Sequence, residues 1–150
     1  MNAIHVRQAV LADLDAVANL FDHYRQFYGQ PSDLTAARTF LKARFEHGES
    51  TIFLVESEGQ ALGFTQLYPS FSSVSMARVF VLNDLYVAPL ARRHGVGQKL
   101  LKAAVIYAGQ LGAVRLSLTT AVDNVTAQSL YESTEWLRDE KFYTYHLALK

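Results

Sequence analysis

Leu85-Tyr86-Val87-Ala88-Pro89-Leu90-Ala91-Arg92-Arg93-His94-Gly95-Val96-Gly97-Gln98-Lys99-Leu100-Leu101 reads as a strand, a short turn and a helix. Two glycines and two arginines stand at the helix mouth. The first four N–H groups of a helix lack internal acceptors, and the helix dipole adds partial positive charge there. Such a mouth binds phosphate or pyrophosphate. Glycine has no Cβ, so a ligand can approach the backbone closely. Arginine adds charge and a fork of donors. The stretch predicts a cradle for a phosphate-bearing cofactor over Arg92, Arg93, His94, Gly95, Val96, Gly97, Gln98 and Lys99, with His94 contributing backbone only.

Working outward, Arg78–Val87 is nearly continuous apolar sequence, as a central strand buried on both faces would be. A helix over about Val96–Gln110 follows, stopped by Gly109 to Gly112. Val114–Thr120 is β-branched and aliphatic, which predicts a further buried strand. Asp123 or Asn124 can cap a short helix running to about Glu132. The tail, residues 142–149, alternates like a final strand.

Upstream, residues 3–9 alternate as a short strand, and residues 11–28 follow a helical period. Gly29-Gln30-Pro31 breaks that helix, Ser32 is placed to cap a second, and His47-Gly48 ends it. Thr51–Ser57 and Ala61–Tyr68 read as strands joined by a Glu58-Gly59 hairpin turn. Residues 69–73 read as a loop. The order is β-α-α-β-β-β-α-β-α-β, which implies an α/β fold with a mixed, mostly antiparallel sheet and helices on both faces. A single domain over 1–150 is expected.

Composition narrows the function. Half of the 150 residues are hydrophobic and 12% are aromatic, so a packed core is expected. Lys and Arg number 14, as do Asp and Glu, which gives no electrostatic case for nucleic-acid binding. There is no cysteine for disulfides, zinc–thiolate sites or a thiol nucleophile. The five histidines show no metal-ligand spacing. No Ser lies in a G-x-S-x-G elbow, and no G-x-x-x-x-G-K-[ST] loop occurs. No signal peptide or membrane-length apolar run is read, so a cytoplasmic protein without membrane partners is expected.

With Arg92-x-x-Gly95-x-Gly97 after an apolar strand, the chain resembles the GNAT family of N-acetyltransferases. Asn124-x-x-Ala127-x-x-Leu130-Tyr131 is similar to that family's second pattern, and the element order matches over essentially the whole chain. The resemblance implies acetyl-CoA as cofactor and direct transfer of its acetyl group to an amine, without a covalent acetyl-enzyme. It implies that the pantetheine arm pairs like a strand with Leu85, Tyr86 and Val87, in a splay between this strand and the next. A backbone N–H near Tyr86 or Val87 would polarise the thioester carbonyl and stabilise the oxyanion. It assigns Asn124 and Ala127 to the cofactor, and Tyr131 to proton donation toward the leaving thiolate.

The general base stays open. Where the diamine acetyltransferase branch has Glu-Asp-Phe-Phe-Val, this chain has Asn83-Asp84-Leu85-Tyr86-Val87. Asn83 cannot act as a base. Asp84 is the candidate to bind or deprotonate the amine, and it can equally cap a turn or pair with Arg78. The family's acceptor loops correspond here to Tyr24, Tyr28, Tyr68 and Phe71, an aromatic set that suits an ammonium group. The stripe Phe21, Tyr24, Phe27 and Tyr28 is by default a core stripe, with one or two rings reaching the pocket. A small or polyamine-like primary amine is the expected acceptor. A non-catalytic acyl-CoA-binding module and a protein N-terminal or lysine acetyltransferase are the alternatives. Glu135-Trp136 replaces the family's Gly-Phe, which predicts a different turn after Tyr131. The aromatic tail, with Phe142, Tyr143 and Tyr145, suggests a homodimer.

Overall fold

The computed structural model describes residues 3–150. They fall into two compact units, one ending at Thr119 and the other Thr120–Lys150. The first holds β1 (His5–Gln8), α1 (Leu14–Phe27), α2 (Leu34–His47), β2 (Thr51–Ser57), β3 (Gln60–Ser72), β4 (Ala77–Val87), α3 (Val96–Gln110) and β5 (Arg115–Ser117). The second holds α4 (Val125–Ser133).

The five strands form one sheet in sequence order. The first three pairings are antiparallel, and β4 pairs with β5 in parallel. The β2–β3 turn puts Glu58 and Gly59 at φ 52° and 75°, the left-handed pair that a two-residue hairpin needs. Strand alternation sends Ile52, Leu54, Phe64 and Tyr86 to the face covered by α1 and α2, where they join Leu14, Val17, Phe21, Ala37 and Leu41 in one buried cluster. The opposite face carries α3, whose Tyr107 ring packs edge-on against Phe53 and Phe80 at 5.5 and 5.6 Å.

Several elements differ from the sequence reading. The second helix is capped by Asp33, whose carboxylate accepts from Ala36 N–H at 3.0 Å, while the Ser32 hydroxyl donates to Asp22. β3 continues through Pro69, Ser70, Phe71 and Ser72, the stretch expected to loop. The last β2 pair is Thr51 with Leu67, so beyond it β3 has an open edge where a proline costs no ladder bond. The strand expected over Val114–Thr120 forms only at Arg115–Ser117 and is not buried, because it meets β4 at three positions alone. The tail over 142–149 is exposed and joins no ladder among the described residues. Its alternation assigns faces, but only a partner backbone makes a strand.

Candidate active site

β4 is paired differently at its two ends. Val79, Phe80 and Val81 sit beside β5, whereas Leu85, Tyr86 and Val87 pair only with β3. Ala88 N–H donates to Leu62 C=O at 2.8 Å, which fixes the direction of the backbone groups. By alternation the Tyr86 N–H also faces β3, and the groups of Leu85 and Val87 face the unpaired edge. Of the two donors expected near the thioester, only Val87 therefore offers an outward N–H. The Val87 carbonyl accepts from Arg92 Nε at 3.2 Å, tying the turn to the strand end.

After a short 3-10 turn over Pro89–Ala91, the chain reaches the mouth of α3. Arg93 and Gly95 hold φ of 67° and 76°. Two left-handed residues so close turn successive N–H groups inward, a concavity suited to anions. Gly95 is the N-cap, and no side chain caps this end. The first helical bond runs from Lys99 N–H to Gly95 C=O at 3.1 Å. Val96, Gly97 and Gln98 thus have N–H groups with no acceptor inside the helix. Val96 is buried and anchors the turn, while Arg92, Arg93, His94 and Gly95 are exposed. The donors, the charge and the open strand edge together fit a diphosphate that carries an extended amide arm.

Gly63 makes this junction possible and was missed in the sequence. A Cβ there would lie 2.7 Å from the Tyr86 carbonyl oxygen and 3.0 Å from the Val96 side chain. Its signal was a glycine inside a strand pattern, a mark of close backbone approach.

On the α1–α2 face, next to Tyr86, lies a buried polar group. A bulge between Gln66 and Leu67 leaves Asn83 as the extra residue of β4 and turns Asp84 inward. Asp84 is 1% exposed. Its Oδ2 accepts from Gln66 Nε2 at 2.7 Å, and its Oδ1 from Asn83 Nδ2 at 2.8 Å. It makes no ion pair with Arg78, whose guanidinium lies over Phe71 and Phe80 instead. Burial pushes the Asp84 pKa above the ordinary carboxylate value, and the bonds from Asn83 and Gln66 oppose that rise. Ser50 donates to Gln66 Oε1 at 2.8 Å. Gln66 was also missed; its signal was one amide inside the strand pattern from Ala61 to Tyr68.

Three of the four aromatic residues singled out in the sequence share this face. Tyr24 donates to the Asn83 carbonyl at 3.2 Å and packs edge-on against Phe64, Tyr86 and Tyr28. Tyr28 is half exposed. Tyr68 follows Gln66 on the same side, and its pKa is pushed up to about 12 by burial and by the Asp84 charge, against a lowering by Arg44. Phe71 is not with them. It is 70% exposed and stacks on Arg78, on the face of α3. Separate from this group, a groove of about 460 Å³ runs between α3 and the first two strands, lined by Phe53, Lys99, Lys102 and Tyr107 among others. No group of three His, Asp or Glu side chains placed to hold a metal occurs among the described residues. No helix there is long and apolar enough to cross a membrane.

In the second unit, Asn124 caps α4, accepting from Ala127 N–H at 3.1 Å. That occupies its carbonyl oxygen and leaves its NH2 as the group able to donate to a ligand. Tyr131 packs against Trp136 with ring centroids 6.1 Å apart. Trp136 N–H bonds the Tyr131 carbonyl at 3.0 Å and Glu135 N–H bonds that of Glu132 at 3.4 Å. Glu135 holds φ 74°. This is the left-handed helix stop that glycine usually makes, so the turn keeps the glycine conformation with a glutamate in it, contrary to the expected change.

Comparison with known proteins adds the family. The family model "Acetyltransferase (GNAT) family" matches residues 14–136. The uncharacterized N-acetyltransferase YhfO of Bacillus subtilis (strain 168) is 52% identical over 144 residues, covering 96% of this chain and 97% of that protein. An aminoglycoside N(6')-acetyltransferase type 1 of Klebsiella aerogenes is 32% identical over 94 residues, 61% of this chain and 62% of that one. The crystal structure of a probable acetyltransferase superposes with a TM-score of 0.92 at 44% identity, over 97% of this chain and 98% of that one.

Proposed function

The chain belongs to the GNAT family of acetyltransferases and is an N-acetyltransferase; from that premise we propose that it moves the acetyl group of acetyl-CoA directly to the primary amine of a small molecule. The observation that carries this reading is the free edge of β4 at Leu85 and Val87, leading into the uncapped mouth of α3. Acetyl-CoA supplies an acyl group activated as a thioester. The N–H groups of Val96, Gly97 and Gln98, with Arg92 and Arg93, would hold its diphosphate. Leu85 and Val87 would hold its amide arm as a strand holds its neighbour. The outward Val87 N–H is the donor available to a carbonyl oxygen that gains negative charge.

Asp84 is the group for the acceptor. A buried carboxylate with no ion pair favours an ammonium beside it and can take that ammonium's proton. Tyr24, Tyr28 and Tyr68 lie on the same face and suit the cation's approach. The Klebsiella aerogenes relative acts on aminoglycosides, small molecules bearing primary amines, which supports this acceptor class. The motif resemblance gives Asn124 and Ala127 to the cofactor and proton donation to Tyr131. A cytoplasmic location and a homodimer complete the reading.

Calorimetry with coenzyme A tests the cradle. Wild-type protein is expected to bind it, and Gly95→Val, which forces a β-branched residue into the left-handed region, is expected to weaken binding at least tenfold. No affinity in the wild-type protein overturns the reading. A mass-spectrometric screen of amines with acetyl-CoA then identifies the acceptor, and Tyr131→Phe should lower kcat.

A further inference from the structure

The two hydrogen bonds to Asp84 differ in kind. Gln66 is fully buried and Asp84 is 1% exposed, so the bond at Oδ2 is sealed. Asn83 is exposed, so the bond at Oδ1 comes from a side chain that reaches solvent. Behind Gln66, the Ser50 hydroxyl donates to Oε1. An ionised carboxylate only accepts, so it draws the Gln66 NH2 toward itself and leaves the amide oxygen for the Ser50 hydroxyl.

We infer that Gln66, supported by Ser50, is a positioning residue that holds Asp84 as a carboxylate, and that Asn83 is the displaceable donor whose place the acceptor's ammonium takes. The inference rests on the reading that Asp84 meets the acceptor amine. A donor aimed at a buried carboxylate stabilises its charged form, which burial alone would suppress. An amide flipped the other way would set two oxygens against each other. The carboxylate, which can only accept, excludes that alternative, and the Ser50 hydroxyl supports the amide from behind. The remaining groups around the carboxylate do not supply a cation. Tyr68 on β3 is held protonated, Tyr24 of α1 donates to the Asn83 backbone, and Arg44 of α2 pairs with Glu49 at 3.1 Å. An exposed amide is a neutral donor in the position where an ammonium would make a stronger, charge-assisted bond.

The experiment is a titration of the Asp84 side-chain carboxyl by carbon NMR in the full chain, run for wild type, Gln66→Met, Ser50→Ala and Asn83→Ala. Gln66→Met keeps the volume and deletes the donor, and should raise the Asp84 pKa by about one pH unit. Ser50→Ala should move it the same way by less. Ser50 is only partly buried, so this variant keeps the test alive if Gln66→Met does not fold. Rates of CoA release with the amine from the screen give the second readout. The acid limb of kcat/KM, which reports the free protein, should move up in all three variants. The acid limb of kcat, which reports the loaded protein, should move up for Gln66→Met and Ser50→Ala but stay in place for Asn83→Ala. An Asp84 titration unmoved by Gln66→Met and Ser50→Ala overturns the positioning role. A kcat limb moved by Asn83→Ala overturns the displacement. Full activity in Asp84→Asn would instead sink the reading of Asp84 itself.

Discussion

Asp22 in the helical layer and Asp84 in the sheet that the layer covers are both buried carboxylates, and their surroundings treat them in opposite ways. Asp22 on α1 is 5% exposed and accepts from Ser32 Oγ at 2.6 Å, Asp33 N–H at 2.8 Å and Gln26 Nε2 at 3.2 Å. The Ser32 hydroxyl and the Asp33 amide hold its pKa below the ordinary value, outweighing burial. Asp84 has two donors, no ion pair, and burial that wins. The lesson is that burial alone does not mark a chemical role. A carboxylate saturated by local donors ties the chain together, whereas one left short of positive partners is kept ready for a cation.

The sharpest way to break this contrast is Asp84→Asn. The variant keeps the shape and removes the charge and the proton acceptor. Turnover with the screened amine should fall about 100-fold or more, the usual contribution of a positioned acid or base. The variant's NH2 replaces one acceptor, and the exposed Asn83 amide can turn its oxygen to meet it, so thermal melting at neutral pH should be no lower than in wild type. The sign follows from the raised pKa. A carboxylate whose folded pKa is raised loses stability as pH climbs above its unfolded value, so at neutral pH its charge is a cost that the amide does not carry. A large drop in melting temperature would make Asp84 a second Asp22.

Asp22→Ala should give the mirror image. It strands the Ser32 hydroxyl and the Asp33 amide, and should cost about 1–3 kcal/mol. In a chain of 150 residues each kcal/mol lowers the melting midpoint by about 2–4 °C. The rate per folded molecule should be unchanged, because Asp22 touches only the α1–α2 connection. The gap from wild type should also depend on pH. A lowered folded pKa contributes stability that is full above the unfolded value, 3.8, and is lost as pH falls through the folded one. The gap between the two melting curves should therefore begin to narrow as pH falls below 3.8.

How much of this was legible follows from what each signal encodes. Helical periods and the Glu58-Gly59 turn are local, so α1, α3 and the β2–β3 hairpin could be read directly. The glycine and arginine turn before α3 was legible for the same reason, since helix mouths bind anions through their own backbone. The face on which a residue lies was not. Tyr68 and Phe71 look like neighbours in the sequence, yet three steps along β3 put them on opposite sides. The partners of Asp84 were hidden by a bulge, because one extra residue at Asn83 changes which side chains meet. The tail failed differently: its alternation was real, but a ladder needs a second backbone that no local pattern specifies.

Ser32 sharpens the comparison at its finest grain. In the sequence it stood as the cap of α2, and in the fold Asp33 takes that role while Ser32 serves Asp22. If Ser32 is one of several donors and not a cap, Ser32→Ala should cost about 1 kcal/mol at most, because Asp33 N–H and Gln26 still satisfy the carboxylate. Helix content by circular dichroism should not change, whereas removing a true cap frays the first turn. The loss should also shrink at low pH with that of Asp22→Ala, since both act in part through one charge. A Ser32→Ala defect that did not shrink as pH falls below 3.8 would assign the hydroxyl to the helix and not to Asp22.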